Sequence, residues 1–201
     1  PISSIRKESV SVPEAAVQPL VALTALGGAT PQKSVHGALT LEENPGLALA
    51  SLALRHGTSR PTPFGMPLPD AGGWTGRDGV SVFWTAPDQW LIAAEARADS
   101  DFAVTVAAEA PGCSVTEQTD GFAAFEITAS TGEGPILSLM SKLVNLDPRR
   151  YGTGTATRTG LEHMSVFVIR PAPDRLTVLG MRSAAGSLWH ALETAVARIA
   201  V

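Results

Sequence analysis

Twice in this chain, two short runs rich in β-branched and aromatic residues are joined by a turn that ends in Pro-Asp. Ser81-Val82-Phe83-Trp84-Thr85 and Gln89-Trp90-Leu91-Ile92-Ala93 flank Ala86-Pro87-Asp88, and Met164 to Ile169 and Leu176 to Leu179 flank Pro171-Ala172-Pro173-Asp174. Proline presets the turn dihedral and aspartate bonds its own backbone, so each pair reads as a hairpin. A connection this short joins antiparallel neighbours, because a parallel crossover needs a dozen residues or more.

Helical segments fall between these strands. Asp101 offers an N-cap to a helix through Phe102 and Val106 that Pro111-Gly112 stops. Phe122 to Thr128 reads as a strand. Pro135 then opens a helix with Ile136, Leu139, Met140 and Leu143 on one face, ended by Asp147-Pro148. Ser183 is the expected cap of a last helix in which Leu188, Leu192, Val196 and Ile199 recur at helical spacing beside Trp189. A further strand is expected around Leu52 and Leu54, while Arg60 to Gly79 and the Thr- and Gly-rich stretch Gly152 to Gly160 carry loop composition. The expected class is α+β with mainly antiparallel sheet and helices between hairpins.

Residues 1–45 show no sustained period of 3.6 or 2 and carry Pro13, Pro19, Gly27-Gly28, Pro31, Gly37 and Pro45. They read as an extended arm preceding a domain at 46–201. Val17, Leu20, Val21, Leu23, Leu26, Leu39 and Leu41 would leave such an arm apolar and suited to ordering on a partner.

A formal net charge of −4, with no basic stripe, argues against nucleic acid, since phosphate binding needs clustered Lys and Arg. There is no run of 18 consecutive apolar residues and no continuous apolar stretch near Pro1, so a soluble, cytoplasmic protein is expected. The single cysteine, Cys113, forms no internal disulfide and lies in a loop with no nearby histidine. His36, His56, His163 and His190 stand far apart without metal-ligand spacing, and no Gly-x-Ser-x-Gly elbow or Walker loop is present. Thr131-Gly132-Glu133-Gly134-Pro135 imitates a phosphate loop but fails on detail: Leu137 stands at the third glycine position, Pro135 has no N–H, and Glu133 puts negative charge beside the anion. No catalytic, cofactor or metal residue is therefore assigned. Trp84 and Trp90 read as core. Trp74, in a Gly-rich loop, and Arg149-Arg150-Tyr151, beyond a helix end, are the candidate partner contacts.

Two stretches carry a resemblance: Trp84-Thr85-Ala86-Pro87-Asp88-Gln89-Trp90-Leu91, and the run from Thr119-Asp120 through Ile136 to Leu143, Leu146-Asp147-Pro148, Thr155 to Thr159 and Leu188-Trp189. In order and spacing these elements resemble the gamma subunit of heterotetrameric sarcosine oxidase, a family similar in architecture to the folate-binding domain of the glycine-cleavage T-protein. Ala86, Gln89 and Gly121 depart from the residues more usual there, as does the stretch Ala129-Ser130-Thr131. The resemblance implies a non-catalytic subunit assembled with alpha, beta and delta chains. The complex oxidatively demethylates sarcosine to glycine with hydrogen peroxide and, with tetrahydrofolate, 5,10-methylenetetrahydrofolate. FAD, FMN, NAD and zinc would then sit on the other chains. Two alternatives belong beside it: a gamma-type subunit of an N-methylglutamate dehydrogenase, and a free-standing folate-binding aminomethyltransferase-like protein. The last needs an acid facing a pocket, and Glu126 and Glu162 are the mid-strand acids available, each expected to face solvent.

Overall fold

A computed structural model describes residues 23–147 and 151–199. Among these residues eleven strands form two sheets. The six-stranded sheet has the order β1 (Lys33–His36), β2 (Leu39–Glu43), β8 (Phe122–Ala129), β11 (Arg175–Met181), β10 (Met164–Ala172), β9 (Thr155–Leu161). The five-stranded sheet has the order β4 (Trp74–Arg77), β5 (Val80–Ala86), β6 (Gln89–Ala94), β3 (Ala48–Ala53), β7 (Ser114–Glu117). All the strand pairings are antiparallel, and in the β5–β6 and β10–β11 pairs this is what the two Pro-Asp turns required.

The sheets stack face to face. Leu49, Phe83, Leu91 and Ala93 of one meet Ala124, Phe167, Ile169 and Leu179 of the other, with the Phe83 and Phe167 rings edge-on at 5.4 Å. A helix layer closes each outer face. Helix α1 (Phe102–Glu109) lays Phe102 and Val106 over Ala48, Leu52, Val82, Trp90 and Ile92. Helices α2 (Glu133–Leu143) and α3 (Ala185–Ile199) cover Leu41, Phe125, Ile127, Val166, Val168 and Val178 with Ile136, Leu139, Met140, Leu188, Trp189, Leu192 and Val196. The result is four layers, and alternate residues of the strands face either a helix or the other sheet. At one corner the sheets are joined: the Trp74 N–H donates to Gly154 O at 2.9 Å and the Ala156 N–H to Gly72 O at 2.9 Å.

The elements read from sequence form where periodicity marked them. The Asp101 carboxylate caps α1 by accepting the Val104 N–H at 3.2 Å, and Asp88 takes the positive φ of its hairpin turn. Several boundaries differ. The segment around Leu52 forms β3, although it ends at Ala53. Helix α2 starts two residues before Pro135 and ends at Leu143, with Val144 already extended. Ser183 lies inside a 3-10 turn, Arg182–Ala184, and makes no cap. The loop-like stretches contain β4 and β9, because strands that close an edge carry Thr, Gly and Arg where only one side is packed.

The arm expected over 1–45 does not extend that far. β1 and β2 pair from Lys33↔Glu42 to His36↔Leu39, and β2 pairs with the sheet interior from Leu39↔Ala129 to Glu43↔Phe125. The connection before them is tied down by Glu43, which is 3% exposed and accepts the N–H groups of Leu26 at 3.0 Å and Gln32 at 3.3 Å. Inward-facing Glu43 interrupts the alternation begun by Leu39 and Leu41, so the strand was illegible as a pattern. The remainder of the expected arm, residues 1–22, lies outside the described residues.

Arg170 is the one fully buried cation among the described residues. It continues the helix-facing alternation of Val166 and Val168. Its Nη1 donates to Tyr151 O at 3.2 Å, and its Nη2 to Pro173 O at 3.0 Å and Glu133 Oε1 at 3.1 Å. One guanidinium thus joins the start of α2, the approach to β9 and the β10–β11 turn.

Gly180 on β11 gives a direct test of this packing, because a Cβ there would lie 2.5 Å from Leu188 Cδ2. Leu188→Ala should lower stability by about 2–5 kcal/mol. Gly180→Ala should cost about 1–3 kcal/mol in the parent chain by overpacking, yet be near neutral in the Leu188→Ala background, where the methyl group enters vacated space. Urea unfolding of the four proteins in the cycle measures this coupling, and additive losses would show that α3 does not press on β11 at this point.

Candidate functional site

Between the two sheets, near the corner that joins them, the apolar contact opens into a cavity of about 410 Å³. Phe83, Ile169 and Leu179 contribute apolar wall, Trp74 closes one side, and Glu126 lies on the lining with Thr177 beside it. The register explains this placement. Glu126 pairs with Thr177 across β8 and β11, and Thr177 with Ile169 across β11 and β10, so all three point to the face that meets the second sheet.

The Thr177 hydroxyl donates to Glu126 Oε2 at 2.7 Å. Asn44 favours the ionised form of Glu126, and donates from Nδ2 to Glu95 Oε2 at 3.0 Å. No salt bridge among the described residues includes Glu126. Burial therefore dominates its ionisation: desolvation pushes the carboxyl up from 4.5 to about 7, opposed by the Thr177 bond and reinforced by the nearby Glu95 charge. The lining also carries Arg77, Asp78, Asp174 and Arg175. Arg77 is already engaged by Asp78 at 3.6 Å and by Phe64 O at 2.9 Å. Arg175 acts on Glu126 only weakly, in the opposite direction to burial. This is the place in the described chain where a shifted acid, a partly apolar wall and internal volume coincide.

The other sequence candidates are scattered. Trp74 is half-buried, packs against the intersheet cluster and lines the cavity, and its ring occupies the space a Cβ at Gly76 would need. Tyr151 is 5% exposed within the helix-side core, so its ring is taken by the domain itself. Arg149 and Arg150 lie outside the described residues. Glu162 is not in a strand: with His163 it makes the turn between β9 and β10, both at positive φ. The outward orientation expected for Glu126 is likewise overturned, because the face of β8 that would meet water in a single sheet meets the second sheet. Glu133, in the phosphate-loop imitation, is paired to Arg170, while Gly132 takes φ +90° in a strand-to-helix turn.

Trp90 is fully buried as expected, with Nε1 donating to Pro69 O at 2.8 Å and the Arg60 guanidinium 5.3 Å from its ring. Trp84 packs on the same cluster while staying partly accessible. Burial pushes the Cys113 thiol up, with Arg55 opposing, which leaves it a poor nucleophile. Among the described residues no three His, Cys, Asp or Glu side chains stand together as metal ligands, and no helix is long and apolar enough to cross a membrane.

Sequence reasoning nominated Glu126 but turned it to solvent, and it missed the burial of Arg170. A signal existed for both: each is a lone charge at an alternating position of a run otherwise uncharged and mostly apolar, Phe122 to Ala129 and Val166 to Arg170.

No protein-family model matches the chain. Nor does any curated protein. Solved structures do. One chain of the heterotetrameric sarcosine oxidase from Corynebacterium sp. U-96, a complex with pyrrole 2-carboxylate, superposes with a TM-score of 0.68 at 22% identity, over 84% of this chain and 88% of that one. The glycine cleavage system aminomethyltransferase T from Bartonella henselae superposes with a TM-score of 0.51 at 15% identity, over 81% of this chain and 50% of that one. The chain thus spans about half the length of the aminomethyltransferase but nearly the whole of the matched oxidase chain. At these identities what is shared is the fold, an α+β arrangement of two antiparallel sheets like that of the T-protein and of a chain of the sarcosine oxidase complex.

Proposed function

We propose that this chain is the gamma-type, non-catalytic subunit of a heterotetrameric sarcosine oxidase, assembled with alpha, beta and delta chains. The observation that carries the reading is the near end-to-end match to one chain of such a complex, of similar length to this one. Supporting it is the dispersal of the chain's chemistry-bearing side chains: Glu133 and Arg170 pair with each other, and Tyr151 is spent on packing. In this reading FAD, FMN, NAD and zinc belong to the other subunits, and tetrahydrofolate is a co-substrate of the complex. Sarcosine is the substrate put forward, with N-methylglutamate the alternative for a related dehydrogenase. A cytoplasmic location goes with it.

Residues 1–22, with Val10, Val12, Val17, Leu20 and Val21, are the segment this reading offers to a partner, together with Arg149 and Arg150. Trp74 contributes only the part of its ring left accessible.

The isolated chain should be colourless, and an absorbance spectrum of the purified protein checks this; stoichiometric flavin on it would contradict the assignment. Mild purification of the tagged chain from its native source should bring down larger yellow subunits with sarcosine-dependent peroxide formation. A chain that elutes alone and binds tetrahydrofolate at micromolar concentration would favour the free-standing folate-binding protein instead. Deleting residues 1–22 should leave the melting temperature of the isolated chain nearly unchanged while lowering retention of the partners. Retention equal to that of the full chain would remove this segment from the interface.

A further inference from the structure

We propose that the intersheet cavity is a binding site for a small organic cation, an ammonium or amidinium carried on an apolar body, with the Glu126 carboxylate as its counter-ion. The cavity is present in this chain whether or not the chain is a subunit.

A carboxylate partly buried between two sheets and largely withdrawn from water is costly unless it is paired. Around Glu126 the chain supplies a hydrogen bond from Thr177 and the favourable influence of Asn44, but no cation at ion-pair distance among the described residues. The charged groups of the lining are Arg77, Asp78, Glu95, Asp174 and Arg175, in which acids outnumber bases and Arg77 is held by Asp78 and Phe64 O. On the neighbouring strand Glu42, which pairs with Glu126 in register, is engaged by Lys33 at 2.9 Å. The field in the cavity therefore favours a positive guest and disfavours an anion. Phe83, Ile169 and Leu179 give the guest's carbon skeleton a surface to cover, and the volume of about 410 Å³ is that of a small-molecule site.

Binding of a cation is coupled to loss of the Glu126 proton. Because burial raises the folded-state value to about 7, the free protein holds this proton at pH 6 and has released it by pH 8.5. A cationic guest stabilises the ionised form, so it displaces about one proton at pH 6 and almost none at pH 8.5, and its apparent affinity rises with pH and levels off above about 7. The same shift makes the free chain lose stability as pH rises from 4.5 to about 7, since the folded state binds the extra proton in that window.

The test is isothermal titration of the full chain with benzylammonium, in buffers of different ionisation enthalpy, at each of these two pH values. Saturable binding with proton release at the lower pH is expected, and Glu126→Gln should weaken it by about tenfold or more at the higher pH. Benzyl alcohol, the neutral isostere, and benzoate should bind at least about tenfold more weakly than the cation. Circular dichroism checks that the variant is folded, and the isostere comparison stands without any variant. Absence of saturable binding, equal binding of benzyl alcohol, binding without proton release at pH 6, or an unchanged affinity in Glu126→Gln would each overturn the proposal.

Discussion

Contact between the two sheets is the constraint on which the rest of the molecule depends. Each strand has two faces, and once one face of each sheet is given to the other sheet, the opposite faces need a separate cover. Helix α1 covers one, and α2 with α3 the other. Burying both faces makes the strands in the middle of each sheet almost continuously apolar, which is visible in the runs of β6 and β11. It also removes the usual refuge for a charged residue in a strand. The acid of β8 and the base of β10 then each face one layer or the other, Arg170 fully buried and Glu126 partly so.

Two residues show how differently that problem is met. Arg170 points toward the helix layer and is almost fully partnered: two backbone carbonyls and Glu133 take its terminal nitrogens, with only Nε left without a partner. Its charge is compensated at the half-exposed end of α2, and the guanidinium serves as a joint between three loops. Glu126 points the other way, toward the second sheet, and receives a hydrogen bond from Thr177 without an ion-pair partner among the described residues. A buried acid in that condition neutralises itself by taking up a proton. The charge of Arg170 is compensated within the chain, whereas Glu126 is left to a proton or to a guest in the cavity.

The fold shared with a sarcosine oxidase chain and with an aminomethyltransferase says that this scaffold serves in different molecular settings. In this chain the contacts that hold the layers together, such as Arg170 to Glu133 and Glu43 to Leu26 and Gln32, lie away from the cavity wall. Loss of a ligand function need not cost such a scaffold its stability, and a partner-binding role can be carried on the same layers.

From the sequence alone the hairpins, the three helices and the antiparallel α+β class were legible, because each depends on neighbours in the chain: Pro-Asp at a turn, an Asp101 cap, leucines one helical turn apart. Edge strands β1, β4, β7 and β9 were not, since an edge packed on one side tolerates Thr, Gly and Ser and leaves no strong alternation. Which of the two faces of β8 meets water could not be read either. A strand's periodicity separates its faces without naming what lies against them. Only the stacking of the second sheet, built from residues 48–117, turned Glu126 from a surface acid into a partly buried one on a cavity wall and set Thr177 beside it.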